Sequence, residues 1–97
     1  SPVRAARLPV DLVKVDRSFV AGLFPGSTQA RILEFVQDLA STLGIEVVAE
    51  GVETEAQIRL LDELGCTMVQ GFHVARPMPA TEVREWFQRH AGQALPG

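Results

Sequence analysis

Lys14 is the single lysine of the chain, and it interrupts an otherwise apolar run, Leu12-Val13-Lys14-Val15-Asp16. An ammonium in such a run needs a carboxylate or a charged ligand beside it, because an unpaired buried charge is costly. Two readings stay open on spacing alone: a structural ion pair, with Glu50 as partner, and a residue that meets a charged ligand. Glu50 and Glu53 flank Gly51-Val52. Two carboxylates in a strand-to-helix loop suit a metal or an acid–base role. For Glu53 the alternative is that it simply favours a helix dipole. Gln70 is either a ligand amide or an edge hydrogen-bonder. His73 falls on the face opposite Gln70 and reads as a helix-packed or edge residue, and His90 as a solvated one.

The elements that position these residues follow from periodicity. Three strand-like runs, residues 12–16, 45–50 and 68–72, alternate with three helix-like runs. The first helix, Thr28–Leu43, carries Ile32, Phe35, Val36, Leu39 and Leu43 at spacings of three and four, one apolar face. Gly44 follows, where a helix end wants a residue tolerant of positive φ. Thr54-Glu55-Ala56-Gln57 is a capping-box pattern. It opens a helix that buries Ile58, Leu61 and Leu64 and stops at Gly65. The third helix starts after Met78-Pro79-Ala80 and buries Val83, Trp86 and Phe87.

Strand alternation puts Lys14 with Asp16 on one face, Val48 with Glu50, and Gln70 with Met68 and Phe72. Each strand therefore delivers a polar side chain near its C-terminal end, and helices cover the opposite faces. Three βα units imply crossovers and a parallel sheet. Both α/β barrels and open doubly wound sheets bind ligands at those ends. The glycines contain no G-x-G-x-x-G and no P-loop, which favours the barrel. The expected fold class is α/β, three consecutive βα units.

Composition narrows the partners. The net charge is −3, the eight arginines are scattered and tyrosine is absent, so there is no basic stripe for DNA or RNA. No apolar run approaches the ~18 residues of a membrane span, so no membrane contact is expected of this segment. Cys66 is the only cysteine, which excludes an intrachain disulfide and a paired-cysteine zinc site. A reducing, cytoplasmic compartment fits.

Three stretches read together carry a resemblance: residues 8–20 (LPVDLVKVDRSFV), residues 48–54 (VAEGVET), and Gln70-Gly71-Phe72 with Arg76-Pro77. In order and spacing they resemble the C-terminal part of the EAL-type cyclic-di-GMP phosphodiesterase domain of bacterial signalling proteins. The likeness runs from about Leu8 to Phe87, and residues 1–97 are expected to be the C-terminal portion of such a domain, with the tail 92–97 frayed. The resemblance implies a modified (β/α)8, TIM-like barrel. It also implies hydrolysis of cyclic-di-GMP to the linear dinucleotide with Mg²⁺ or Mn²⁺.

On this resemblance Lys14 and Glu50 are catalytic: Lys14 near the scissile phosphate and attacking water, Glu50 orienting or deprotonating that water. Gln70 and Asp16 are substrate-binding, and Glu53 steadies a neighbouring active-site loop. The family's Glu-Ala-Leu tripeptide, its asparagine, its second glutamate and its paired aspartates have no counterpart in the chain. Direct metal ligands are therefore expected upstream of Ser1, with Glu50 reaching a metal through water and no ion tightly bound by these residues. The chain alone is expected to be inactive and to self-associate. The parent is read as an active enzyme, possible membrane anchoring lying in other domains. The alternative is a degenerate cyclic-di-GMP receptor or partner-docking module.

Overall fold

The computed structural model describes residues 12–71 and 76–90. The expectations for Phe72, His73 and the tail 92–97 lie outside the described residues. Along the chain run β1 (Leu12–Val15), α1 (Arg17–Ala21), α2 (Thr28–Leu43), β2 (Glu46–Val52), α3 (Glu55–Glu63), β3 (Met68–Gly71), β4 (Met78–Pro79) and α4 (Ala80–Arg89). The four strands form one mixed sheet in the order β1-β2-β3-β4. β1, β2 and β3 are parallel, and β4 runs antiparallel to β3. Helical crossovers join β1 to β2 and β2 to β3, as expected of βαβ units.

Two elements depart from the expected plan. β4 intervenes between β3 and α4, so the third strand does not pass directly into its helix. Pro79, which has no N–H to donate, sits in that two-residue strand at the sheet edge, where proline is tolerated. Directly after β1 comes the short helix α1, because Asp16 in extended conformation accepts the Ser18 amide and caps it. β1 therefore stops at Val15, one residue short of Asp16.

The core lies between one face of the sheet and the helices. Val47, Ala49 and Val52 of β2 and Val69 of β3 pack there with Ile58 and Leu61 of α3 and Val83 and Phe87 of α4. Among the described residues no polar or charged side chain is buried. Thr54 and Gln57 form the expected capping box at the start of α3. Gly44 ends α2 in the left-handed region, φ 72°.

Helix faces needed correction. α2 buries Ala30, Leu33 and Ala40, with Val36 and Leu43 packed at the margin, while Ile32, Phe35 and Leu39 stay 46%, 70% and 50% exposed. Its apolar stripe is wider than its contact with the sheet, and the small alanines make the close approach. In α3 Leu60 is buried along with Ile58 and Leu61, while Leu64, the C-cap, is half-buried. Trp86 of α4 is also half-buried: it packs edge-on against Phe87 and stacks on His90 with centroids 4.4 Å apart. His90 is thus held by an aromatic neighbour rather than solvated on all sides.

Candidate functional site

Register brings three of the expected residues together. Lys14 pairs with Val48 across β1 and β2, and Glu50 pairs with Gln70 across β2 and β3. Val48 and Glu50 are two apart on one strand, so Lys14, Glu50 and Gln70 share the face opposite the helix-packed core. The Lys14 ammonium lies 3.5 Å from Glu50 Oε1. Gln70 stands half-buried beside that pair.

Magnitude separates the two readings of Lys14. Its side chain is 51% exposed and that of Glu50 is 35% exposed. A pair so accessible contributes only about 0–1 kcal/mol, whereas breaking a buried one costs roughly 3–5 kcal/mol. The ammonium is not buried in this chain, contrary to the expectation from its apolar neighbours. In this chain, therefore, the pair adds little to fold stability. A charge kept accessible at the strand ends can meet an anionic ligand, and an adjacent carboxylate can accept a proton.

Gly51 shapes the site in a way that alternation hides. Glu50 pairs with Gln70 but Val52 pairs with Gly71, so β2 carries one extra residue there, a β-bulge. Gly51 adopts φ +70°, a conformation that disfavours side chains. The bulge leaves Glu50 on the open face and returns Val52 to the buried core, although strict alternation puts the two on one face. β2 consequently extends to Val52, two residues beyond the expected end.

The remaining expected residues are engaged with the surrounding turns. Asp16 lies at the end of β1, where one oxygen, Oδ2, accepts both the Ser18 amide and the Ser18 hydroxyl. Those bonds, the hydroxyl first, hold its carboxyl below the usual aspartate value. Glu53 is exposed and forms an ion pair with Arg17 at 2.8 Å. Its backbone amide donates to Gln57 Oε1 at 2.7 Å, fixing the start of α3. Sequence reasoning passed over Arg17 and the bulge. The available signals were a capping aspartate before Arg17-Ser18 and a glycine inside a strand pattern.

Other features lie elsewhere. Cys66 is buried with its thiol 3.6 Å from the Val47 carbonyl, and burial pushes its pKa up to about 11, so it is a core residue rather than a nucleophile. A groove of about 640 Å³ is lined by the α1–α2 loop, α2 and the C-terminal end of α3, and shares no residue with the charged strand ends. No helix among the described residues is long and apolar enough to cross a membrane.

Comparison with known proteins places this arrangement in a family. Residues 1–77 match the EAL domain model. The chain is 47% identical over 77 residues to the bifunctional diguanylate cyclase/cyclic di-GMP phosphodiesterase MucR of Pseudomonas aeruginosa, covering 79% of the chain and 11% of MucR. It is 38% identical over 90 residues to the cyclic di-GMP phosphodiesterase NbdA of the same organism, covering 93% of the chain and 12% of NbdA. The solved PaMucR phosphodiesterase–c-di-GMP complex superposes with a TM-score of 0.64 at 44% identity, over 86% of the chain and 37% of that structure. The chain thus spans about a tenth of the length of these curated relatives. With the family model matching most of its length, the chain belongs to the EAL domain family.

Proposed function

We propose that this chain is the C-terminal part of a barrel-shaped cytoplasmic domain that hydrolyses cyclic-di-GMP to the linear dinucleotide. The observation that carries the reading is the Lys14–Glu50 pair, 3.5 Å apart and accessible, with Gln70 in register beside it. Water attacks phosphorus, a P–O bond forms, and the bond to one ribose oxygen breaks. Glu50 takes the proton from that water, and the leaving ribose oxygen takes one from solvent. The Lys14 ammonium stands by the phosphate oxygens, where charge grows as the bond is made.

Gln70 offers an amide to the dinucleotide. Asp16 commits Oδ2 to Ser18, so a contact with the dinucleotide falls to Oδ1. Glu53 supports the neighbouring loop. Among the described residues no three His, Cys, Asp or Glu side chains gather so as to hold a metal. The expected Mg²⁺ or Mn²⁺ does not fit these residues by themselves, and its ligands are assigned to other parts of the complete domain.

The test is to incubate a complete EAL domain carrying this segment with cyclic-di-GMP and separate the products by chromatography. Linear dinucleotide is the expected product, and the 97-residue chain under the same conditions should yield none. Tight binding without turnover by the complete domain would replace the enzyme reading with that of a receptor.

A further inference from the structure

We propose that Arg17 is a positioning residue that locks the Glu50 turn of β2 to the Lys14 strand. The inference rests on the reading of Lys14 and Glu50 given above. Arg17 is the first residue of α1, three positions after Lys14, and Asp16 between them caps that helix. Its guanidinium bonds Glu53 at 2.8 Å. Its aliphatic stem lies across Gly51, the bulge residue that directly follows Glu50. A β-carbon built on Gly51 would collide with Arg17 Cγ and come within 2.8 Å of Arg17 Cβ and 3.0 Å of Cδ.

These observations converge on one turn. Gly51 has both the positive φ and the missing side chain that let an arginine stem lie against its backbone. The ion pair then closes over that contact from Glu53, and Gln57 accepts from the Glu53 amide on the far side. Residues 51–53 are therefore gripped by stem, charge and amide. Glu50, immediately before them, has its carboxylate aimed at Lys14. The ion pair itself is too exposed, at 55% and 52%, to contribute much stability. Its consequence is geometric, since small displacements at a reacting centre cost large factors in rate.

The experiment uses the complete domain. Arg17→Ala is expected to lower kcat roughly 10- to 100-fold with KM within about twofold, because positioning is lost while the binding groups remain. Arg17→Lys should recover part of the rate. Arg17→Ala combined with Glu53→Ala should lose no more than Arg17→Ala alone, since removing the arginine already removes the ion pair as well as the stem on Gly51. A merely structural arginine would shift the melting temperature and leave kcat per folded molecule alone. An Arg17→Ala kcat within about twofold of wild type, or losses that multiply in the double variant, overturns the proposal. Should the wild-type domain show no turnover, the phosphodiesterase reading fails and the latch is judged by crystallography. An Arg17→Ala structure in which Glu50 leaves Lys14 supports it, and one with the 3.5 Å pair and the bulge intact overturns it.

Discussion

The two faces of this sheet are built from the same strands and obey opposite rules. On the helix-packed face, Val47, Ala49, Val52 and Val69 are at most 3% exposed and belong to one apolar core. On the other face, Lys14, Glu50 and Gln70 stand at successive strands, accessible or half-buried, with Arg17 and Glu53 at the rim. The first face is held by area removed from water; on the second Val48 is also fully buried, but register, a bulge and a few half-exposed bonds set the polar side chains. Changes on the first should therefore alter stability, and changes on the second should alter chemistry.

The largest expected stability effect is on the packed face. Leu61 is fully buried in the core, and Leu61→Ala should cost about 2–5 kcal/mol, a large share of a small domain's stability. Denaturant melts of the complete domain check this. Turnover per folded molecule should be unchanged, and a loss of rate without a loss of stability would break the contrast between the faces.

A smaller effect is expected on the outer side of α2. Ile32, Phe35 and Leu39 are exposed there, and among the described residues β1 is an end strand of the sheet, so the 97-residue chain should self-associate. Ile32→Glu with Leu39→Glu should weaken that association about tenfold or more, given the apolar area removed. Sedimentation equilibrium reads the change. A chain monomeric at every concentration would show that this stripe is not adhesive.

The smallest effect concerns acid. The Ser18 bonds depress the Asp16 carboxyl in the folded state, so their stabilisation is present above its ordinary pKa of 3.8 and is lost as pH falls through the lower folded value. The Asp16→Asn variant cannot ionise and should lose that part of the acid sensitivity. Melting temperatures between about pH 5 and pH 2 should fall more steeply for wild type than for the variant. Parallel curves would mean the cap is not titrating.

Much of the open face was legible because strand alternation is a strict rule. Lys14, Glu50 and Gln70 could be placed on one side from period two alone, and the capping box at Thr54 follows from four residues. The rest turned on non-periodic features. Val52 sits in the core only because Gly51 inserts a bulge, and a glycine between two candidate strand residues does not announce its φ. Arg17 looks like any surface arginine until the fold brings Glu53, 36 positions away, to its guanidinium. In α2 the apolar period is real, but which part of a wide stripe is covered depends on how the helix sits on the sheet. β4 is two residues long and carries no pattern to read.

On the function proposed above Glu50 works on the reacting water, and in this chain its pairing with Lys14 is too exposed to contribute much to the fold. The direct measurement is turnover and cyclic-di-GMP affinity of a complete domain with Glu50→Gln beside wild type. Glutamine keeps the shape and cannot take a proton, so turnover should fall about 10²-fold or more while affinity and melting temperature stay close to wild type. Wild-type turnover by that variant, or a loss of rate fully explained by unfolding, would contradict the account.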